Sequence, residues 1–321
     1  MRRIKVDPQF HQRVVAFNSS LFSTRSTKFK NPLAALGTMS VLKGTRKKYG
    51  IENTVAEAYV KAIIAEYQHI LSADEAEMQI LIVKFRGILH EDNITEKFWK
   101  AIVKAMQYSA LRGKEMLQFL QKSNIRTCVY CHSQLTLVVN KTKTTLKGLL
   151  QLDHKYPKSK FPFLCTSFYN LYPICSNCNM SKSDDPTDFN FYCKDDQLDL
   201  LTFGVKSSSV LQYERTGNLE DLVITIKQLD QTTDLSEYHR MFNIKNIYET
   251  QTDIVQELIE KKQVYNNPYN QTLINNFNRL FSDQSMIKRL IIGNYDRPED
   301  MLQRPMAKFT QEIARDLKLI K

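Results

Sequence analysis

Two cysteine pairs, Cys128-Val-Tyr-Cys131 and Cys175-Ser-Asn-Cys178, constrain this chain more than any other feature of it. Thiolates three residues apart can bend over one ion, and two such knuckles complete a tetrahedral four-sulphur zinc site. The stretch between the pairs is longer than in a compact zinc finger, so a structural zinc would pin both ends of a hairpin-containing insert. Cys165 and Cys193 have no such partner and read as small buried apolar residues. His132 directly follows a ligand and could replace one, but four cysteines already satisfy zinc. Met1 to Lys5 is followed by polar residues rather than an apolar leader segment, so the expectation is reduced thiols in a cytoplasm. No apolar run approaches the roughly 20 residues needed to cross a bilayer, and no membrane contact is expected.

Around the cysteine-rich segment the pattern is helical. Thr54 and Glu57 form a capping-box pair ahead of Val60, Ile63, Ile64, Tyr67 and Leu71. Ser72 and Glu75 repeat it ahead of Met78, Leu81, Ile82, Phe85 and Leu89. A third helix is predicted from Thr95, carrying Phe98, Trp99, Ile102, Met106 and later Leu117 and Leu120. Within the insert, Leu135 to Asn140 and Leu146 to Leu152 read as strands of a hairpin separated by Lys141 to Thr145. Val210 to Tyr213 and Leu222 to Ile226 read as short strands on either side of Gly217-Asn218. From Ser236 onward the chain is helical again, with Ile254, Leu258 and Ile259 on one face, Leu273 and Phe277 on another candidate helix, and Phe309 to Leu317 at the end. The fold class expected is α+β, a mostly helical chain around a small zinc-stabilised module. The units expected are residues 1–50, 51–125, 126–195, 196–230 and 231–321.

Inside the insert stand LDHKYPKS, Leu152 to Ser159, and YNLYPICSNCNMSKSD, Tyr169 to Asp184. With the cysteine pairs, these stretches resemble the HNH endonuclease family over about a fifth of the chain. That resemblance implies a central ββα-metal, treble-clef-like module. It makes His154 the general base, Asp153 and Asn179 the ligands of a catalytic Mg²⁺ or Mn²⁺, and Asn170 the residue that orients His154. The residue types suit phosphodiester hydrolysis. Histidine titrates near neutrality and can deprotonate water, and a hard divalent ion prefers carboxylate and carboxamide oxygens. Asp153 and His154 are adjacent, so they can converge on one phosphate only where the strand ends, which Pro157 favours. Lys158 and Lys182 are candidate phosphate contacts.

The formal charge of the 321 residues is +11, and residues 1–50 hold eleven Lys or Arg against one acid, Asp7. That basic arm, with Phe10, Phe17, Phe22 and Phe29 between its charges, suits a polyanion; alternatively it is a solvated tail, or its aromatics dock on the core. The expected activity is a metal-dependent endonuclease acting on nucleic acid, with DNA favoured. The alternatives are an RNA-cleaving or nicking variant and a zinc-stabilised nucleic-acid-binding protein without catalysis. No GxxxxGK[ST] loop occurs, so no nucleotide-driven motor is recognisable. The helical extensions and the MRRI-like start are similar to those of bacterial anti-phage defence effectors, which implies a separate ATPase or sensor protein as partner.

Overall fold

The computed structural model describes residues 1–41, 47–183, 189–230, 234–265 and 284–320, together with 269, 272, 275 and 276. It is a mixed helical and sheet structure. Among the described residues the strands form four separate two-stranded sheets.

The N-terminal segment is built into the body. Strand β1 (Ile4–Lys5) pairs in parallel with a strand from the far side of the cysteine-rich segment. Helix α1 (Pro8–Ser19) starts where the Asp7 carboxylate accepts from the Phe10 amide and Pro8 presets φ. Helix α2 (Pro32–Met39) repeats the device with Asn31 and Pro32. Phe10 and Phe17 pack edge-on against Phe119 and Phe168, and Phe22 packs on Phe29. The aromatics of the basic stretch are therefore core residues. Five of its cations are paired with acids: Arg2 with Asp199, Arg3 with Asp230, Lys5 with Asp196, Arg25 with Glu115 and Lys47 with Glu52. Lys43 and Arg46 lie outside the described residues.

Helix α3 (Asn53–Ser72) buries Tyr59, Val60, Ile63, Tyr67, Ile70 and Leu71 along one stripe. Its cap is Glu52, without a side-chain bond, so the Thr54 and Glu57 box does not form. Helix α4 (Glu75–Arg86) does carry a capping box, two residues later than the sequence pattern suggests, made by Asp74 and Glu77. Ser72 cannot cap it, because it is still the last residue of α3. Helix α5 (Glu96–Ala105) begins at the expected Thr95, whose hydroxyl accepts from Phe98 N. It stops at Ala105, since Gln107 adopts a left-handed φ of 59°. A short α6 (Tyr108–Ala110), a π-helical turn over Leu111–Glu115 and α7 (Met116–Gln121) follow in place of one long helix.

Strands β2 (Leu137–Asn140) and β3 (Leu146–Leu149) make the expected antiparallel hairpin. The hairpin lies close to α7, and a Cβ at Gly148 would sit 2.9 Å from Leu117 Cδ2, so any larger residue there needs the Leu117 side chain to shift. After a break at Leu150, β4 (Gln151–His154) pairs antiparallel with β5 (Leu171–Ile174), placing Asp153 opposite Tyr172 and His154 opposite Leu171. Helix α8 (Ser176–Lys182) follows β5 directly. Strand β6 (Tyr192–Cys193) is the partner of β1.

Further on, β7 (Leu201–Val205) pairs with β8 (Ile224–Gln228). The strand expected over Val210 to Tyr213 is instead part of helix α9 (Ser207–Thr216), closed by Gly217 at φ 67°. Helices α10 (Leu235–Phe242), α11 (Ile244–Glu249) and α12 (Thr252–Val264) come next, then a helix over Gln284–Ile292 and a C-terminal helix over Ala307–Asp316. The helix expected around Leu273 and Phe277 lies outside the described residues. Among the described residues no helix is long and apolar enough to cross a membrane.

Candidate metal centre and adjoining cleft

The sulphurs of Cys128, Cys131, Cys175 and Cys178 all lie within 4.8 Å of one another, and all four residues are buried. Four sulphurs at about 2.3 Å from one zinc stand roughly 3.8 Å apart, and Cys131 Sγ is 4.0 Å from Cys175 Sγ. The group could hold a metal ion such as zinc. The first knuckle is a turn in which His132 N donates to Cys128 O and Cys128 N donates to Gln134 O, and His132 takes a φ of 53° to close it. The second knuckle is the first turn of α8, where Cys175 is the N-cap and Cys178 N approaches Cys175 Sγ at 3.5 Å. Four thiols packed together titrate in opposition. Hydrogen bonds from the other three hold Cys175 well below the ordinary thiol range, whereas the same crowding pushes Cys178 up. A shared cation removes that conflict. His132 is not part of the group; Cys165 and Cys193 are buried apart from it, as expected.

The C-terminal helices hold the first knuckle in place. Tyr238 of α10 donates to Tyr130 O, Tyr248 of α11 donates to Cys131 O at 2.8 Å, and Met306 N donates to His132 O at 2.9 Å. Phe242 stacks on the Tyr130 ring at 4.4 Å. Nothing in the sequence pattern assigned residues 231–321 to this task, because the contacts join positions more than a hundred residues apart.

A cleft of about 230 Å³ opens beside the knuckles, lined by Leu152, Asp153, His154, Pro157, Lys158, Asn179, Lys182 and Ser183. Five of the six non-cysteine residues singled out from the sequence therefore share one concavity. Asp153 and His154 both reach it because β4 ends at His154 and the chain turns toward Pro157. Asn179 and Lys182 come from α8, three residues apart and so on one side of that helix.

Asp153 is gripped from two directions. Tyr130 Oη donates to its Oδ2 at 2.5 Å. Lys182 Nζ lies 3.1 Å from Oδ2 and 3.3 Å from Oδ1. Lys182 is 1% exposed and also donates to His154 O at 3.0 Å, so its ammonium is committed to the strand end and not free for a phosphate. Lys158 is half-buried, with Nζ 5.8 Å from the Tyr108 ring.

His154 is buried, its ring 4.8 Å from that of Tyr108. Its Nε2 lies 3.1 Å from Cys165 O. A carbonyl can only accept, so in the neutral ring Nε2 carries the hydrogen and Nδ1 keeps a lone pair. Burial, assisted by the Lys158 charge, lowers the His154 pKa to about 3. The imidazole is thus neutral at pH 7 through desolvation, rather than poised near neutrality as its residue type suggests.

Asn170 is placed differently from the expectation. Its carboxamide accepts from Tyr156 N at 2.8 Å and donates to Tyr156 O and Leu164 O. It staples the loop that leaves His154, and its side chain bonds that loop's backbone rather than the imidazole. The group that sets the ring is Cys165 O. The same loop is tied to α4, where Lys155 pairs with Glu75 at 2.6 Å and Tyr156 Oη donates to Glu75 Oε1 at 2.5 Å.

Sequence reasoning missed Tyr130, Tyr108 and the Cys165 carbonyl. Only Tyr130 had a signal, its place inside the CVYC knuckle. Compared with known proteins, the chain matches no family model, no curated protein and no solved structure.

Proposed function

We propose that this chain is an HNH-type, metal-dependent endonuclease hydrolysing phosphodiesters, with DNA the favoured substrate. The observation that carries the reading is the shared cleft: Asp153, His154 and Asn179 meet on a strand end and the helix that follows it, beside four clustered cysteines. Those cysteines fit a structural Zn²⁺. The oxygen donors of Asp153 and Asn179 fit a hard divalent ion such as Mg²⁺ or Mn²⁺. Such an ion, when bound, stabilises charge on the phosphate and the leaving oxygen.

The chain's own groups supply the rest. Cys165 O holds the Nε2 hydrogen, which leaves His154 Nδ1 to take a proton from the attacking water. The Asn170 staple keeps the loop from Lys155 to Leu164 against the strand end. Lys158 offers a positive charge at the rim, and Lys182 fixes Asp153 and the His154 carbonyl. Restriction or anti-phage defence alongside a separate ATPase or sensor protein rests on the resemblance of the flanks alone.

One observation favours a second reading, a nucleic-acid-binding protein without catalysis. The Lys182 ammonium already neutralises Asp153, which a purely structural ion pair would also do. Incubating purified protein with plasmid, single-stranded DNA and RNA, with Mg²⁺ or with EDTA, separates the two. We expect Mg²⁺-dependent nicks or breaks, lost in His154→Ala while zinc content is retained. Cleavage by His154→Ala at the wild-type rate would sink the assignment of the base. Binding without cleavage in every arm would favour the second reading.

A further inference from the structure

The cysteine centre and the cleft are usually thought of as separate jobs, one scaffolding and one chemical. Here the same two segments serve both. Tyr130 stands between Cys128 and Cys131, and its hydroxyl bonds Asp153 Oδ2. Lys182 stands on α8, whose first turn carries Cys175 and Cys178, and its ammonium bonds both Asp153 oxygens. The carboxylate is thus held by one arm from each knuckle.

We infer that Tyr130 is a positioning residue through which the four-cysteine centre sets Asp153, so that metal held by the cysteines tunes cation binding at the cleft. The inference rests on the nuclease reading above. Its basis is geometric. The Tyr130 ring is fully buried, stacked on Phe242 and edge-on to Phe191, and its own carbonyl is held by Tyr238. A ring fixed at its backbone and on its face leaves the hydroxyl little freedom, so the knuckle's position becomes the position of the donor. The carboxylate sits at 7% exposure, where water cannot readily replace a lost donor. Partners that orient a metal-binding carboxylate commonly change affinity or activity by 10- to 100-fold when removed.

The test uses Tyr130→Phe in the full chain, which deletes the hydroxyl and keeps the stacking ring. Mn²⁺ is titrated into the zinc-loaded His154→Ala protein with and without the Tyr130 change, read by the loss of free Mn²⁺ signal. Cleavage as a function of Mn²⁺ is followed in parallel in the chain with His154 intact. We expect unchanged zinc content, an Mn²⁺ half-saturation raised about tenfold or more, and most of the rate restored at high Mn²⁺. Equal Mn²⁺ curves with and without the hydroxyl overturn the inference while leaving the nuclease reading in place. If Asp153→Ala binds Mn²⁺ as well as the parent and the parent does not cleave, the nuclease reading fails and the inference goes with it. Should Tyr130→Phe lose zinc, Tyr130 is a structural knuckle residue and the positioning role is rejected.

Discussion

At the scale of single residues, His154 departs from what its type suggests. An exposed histidine would be half-charged near pH 6.5, whereas burial holds this one neutral down to about pH 3. The unfolded chain takes up the proton first, so His154 contributes its full stability above pH 6.5, and that contribution falls as the pH drops toward 3. Between pH 7.5 and 5.0 the loss is roughly 2 kcal/mol. Urea unfolding of the native chain and of His154→Gln at both pH values should show the gap between them shift by about that amount in favour of the variant at pH 5.0. A gap independent of pH would mean that the ring titrates in the folded state as it does in the unfolded chain. The identities of the cleft residues were legible in the sequence because an Asp-His pair, an asparagine after the second knuckle and a lysine one turn on are local patterns. Their partners were not. Cys165 O and Tyr130 Oη reach the site across 11 and 23 residues, and the backbone carbonyl leaves no mark in residue type. Asn170 illustrates the same limit, since the resemblance made it the residue that orients His154 and only the fold shows that it anchors the loop.

At the scale of elements, α8 and its N-cap have three duties in eight residues: they bring Cys175 and Cys178 to the cysteine group, Asn179 to the cleft and Lys182 to Asp153. Cys175 is also its N-cap. Serine there keeps a capping oxygen but loses the thiolate, so Cys175→Ser isolates the metal contribution. We expect the variant to lose most of its bound zinc and to melt well below the parent, and a strong chelator should bring the parent to a similar point. Equal melting curves and one zinc per chain in the variant would remove the four-cysteine site. Hydrophobic pattern served well where an element is long and half-buried, as in α3, or is capped plainly, as at Thr95. It misled at Val210 to Tyr213, where β-prone residues stand in a helix. The helix wins because Val210 and Tyr213 are three apart, Ser209 and Tyr213 face the core, and Gly217 closes the end. The hairpin continued on paper through Leu152, but the chain changes sheet at Leu150, and β4 belongs with β5.

At the scale of the whole molecule, part of the charge that stood out in the sequence is spent on cohesion. Arg3 donates to Asn190 O and Gln197 O and pairs with Asp230, tying the start of the chain to two distant segments. Asp230 is buried, so Arg3→Ala removes an ion-pair partner from a buried carboxylate and should cost roughly 1–3 kcal/mol, seen as an earlier urea midpoint. The salt dependence of the proposed nucleic-acid binding should stay the same in that variant, because a residue that does not touch phosphate releases no counterions. A slope reduced by about one unit would place Arg3 on the polyanion instead. Charge counts along a sequence cannot make this distinction, since the matching acids, Asp196, Asp199 and Asp230, lie 191 to 227 residues downstream.

The pairing of Lys182 with Asp153 has a consequence for timing. A carboxylate set at a buried strand end needs a counter-charge as soon as the chain folds, and here the chain brings its own. The two cation requirements of the proposed nuclease would therefore run on different clocks. Sulphurs crowded to 4 Å call for an ion during folding, whereas the cleft, on the nuclease proposal, is electrically settled beforehand and can wait, intact, for its divalent ion.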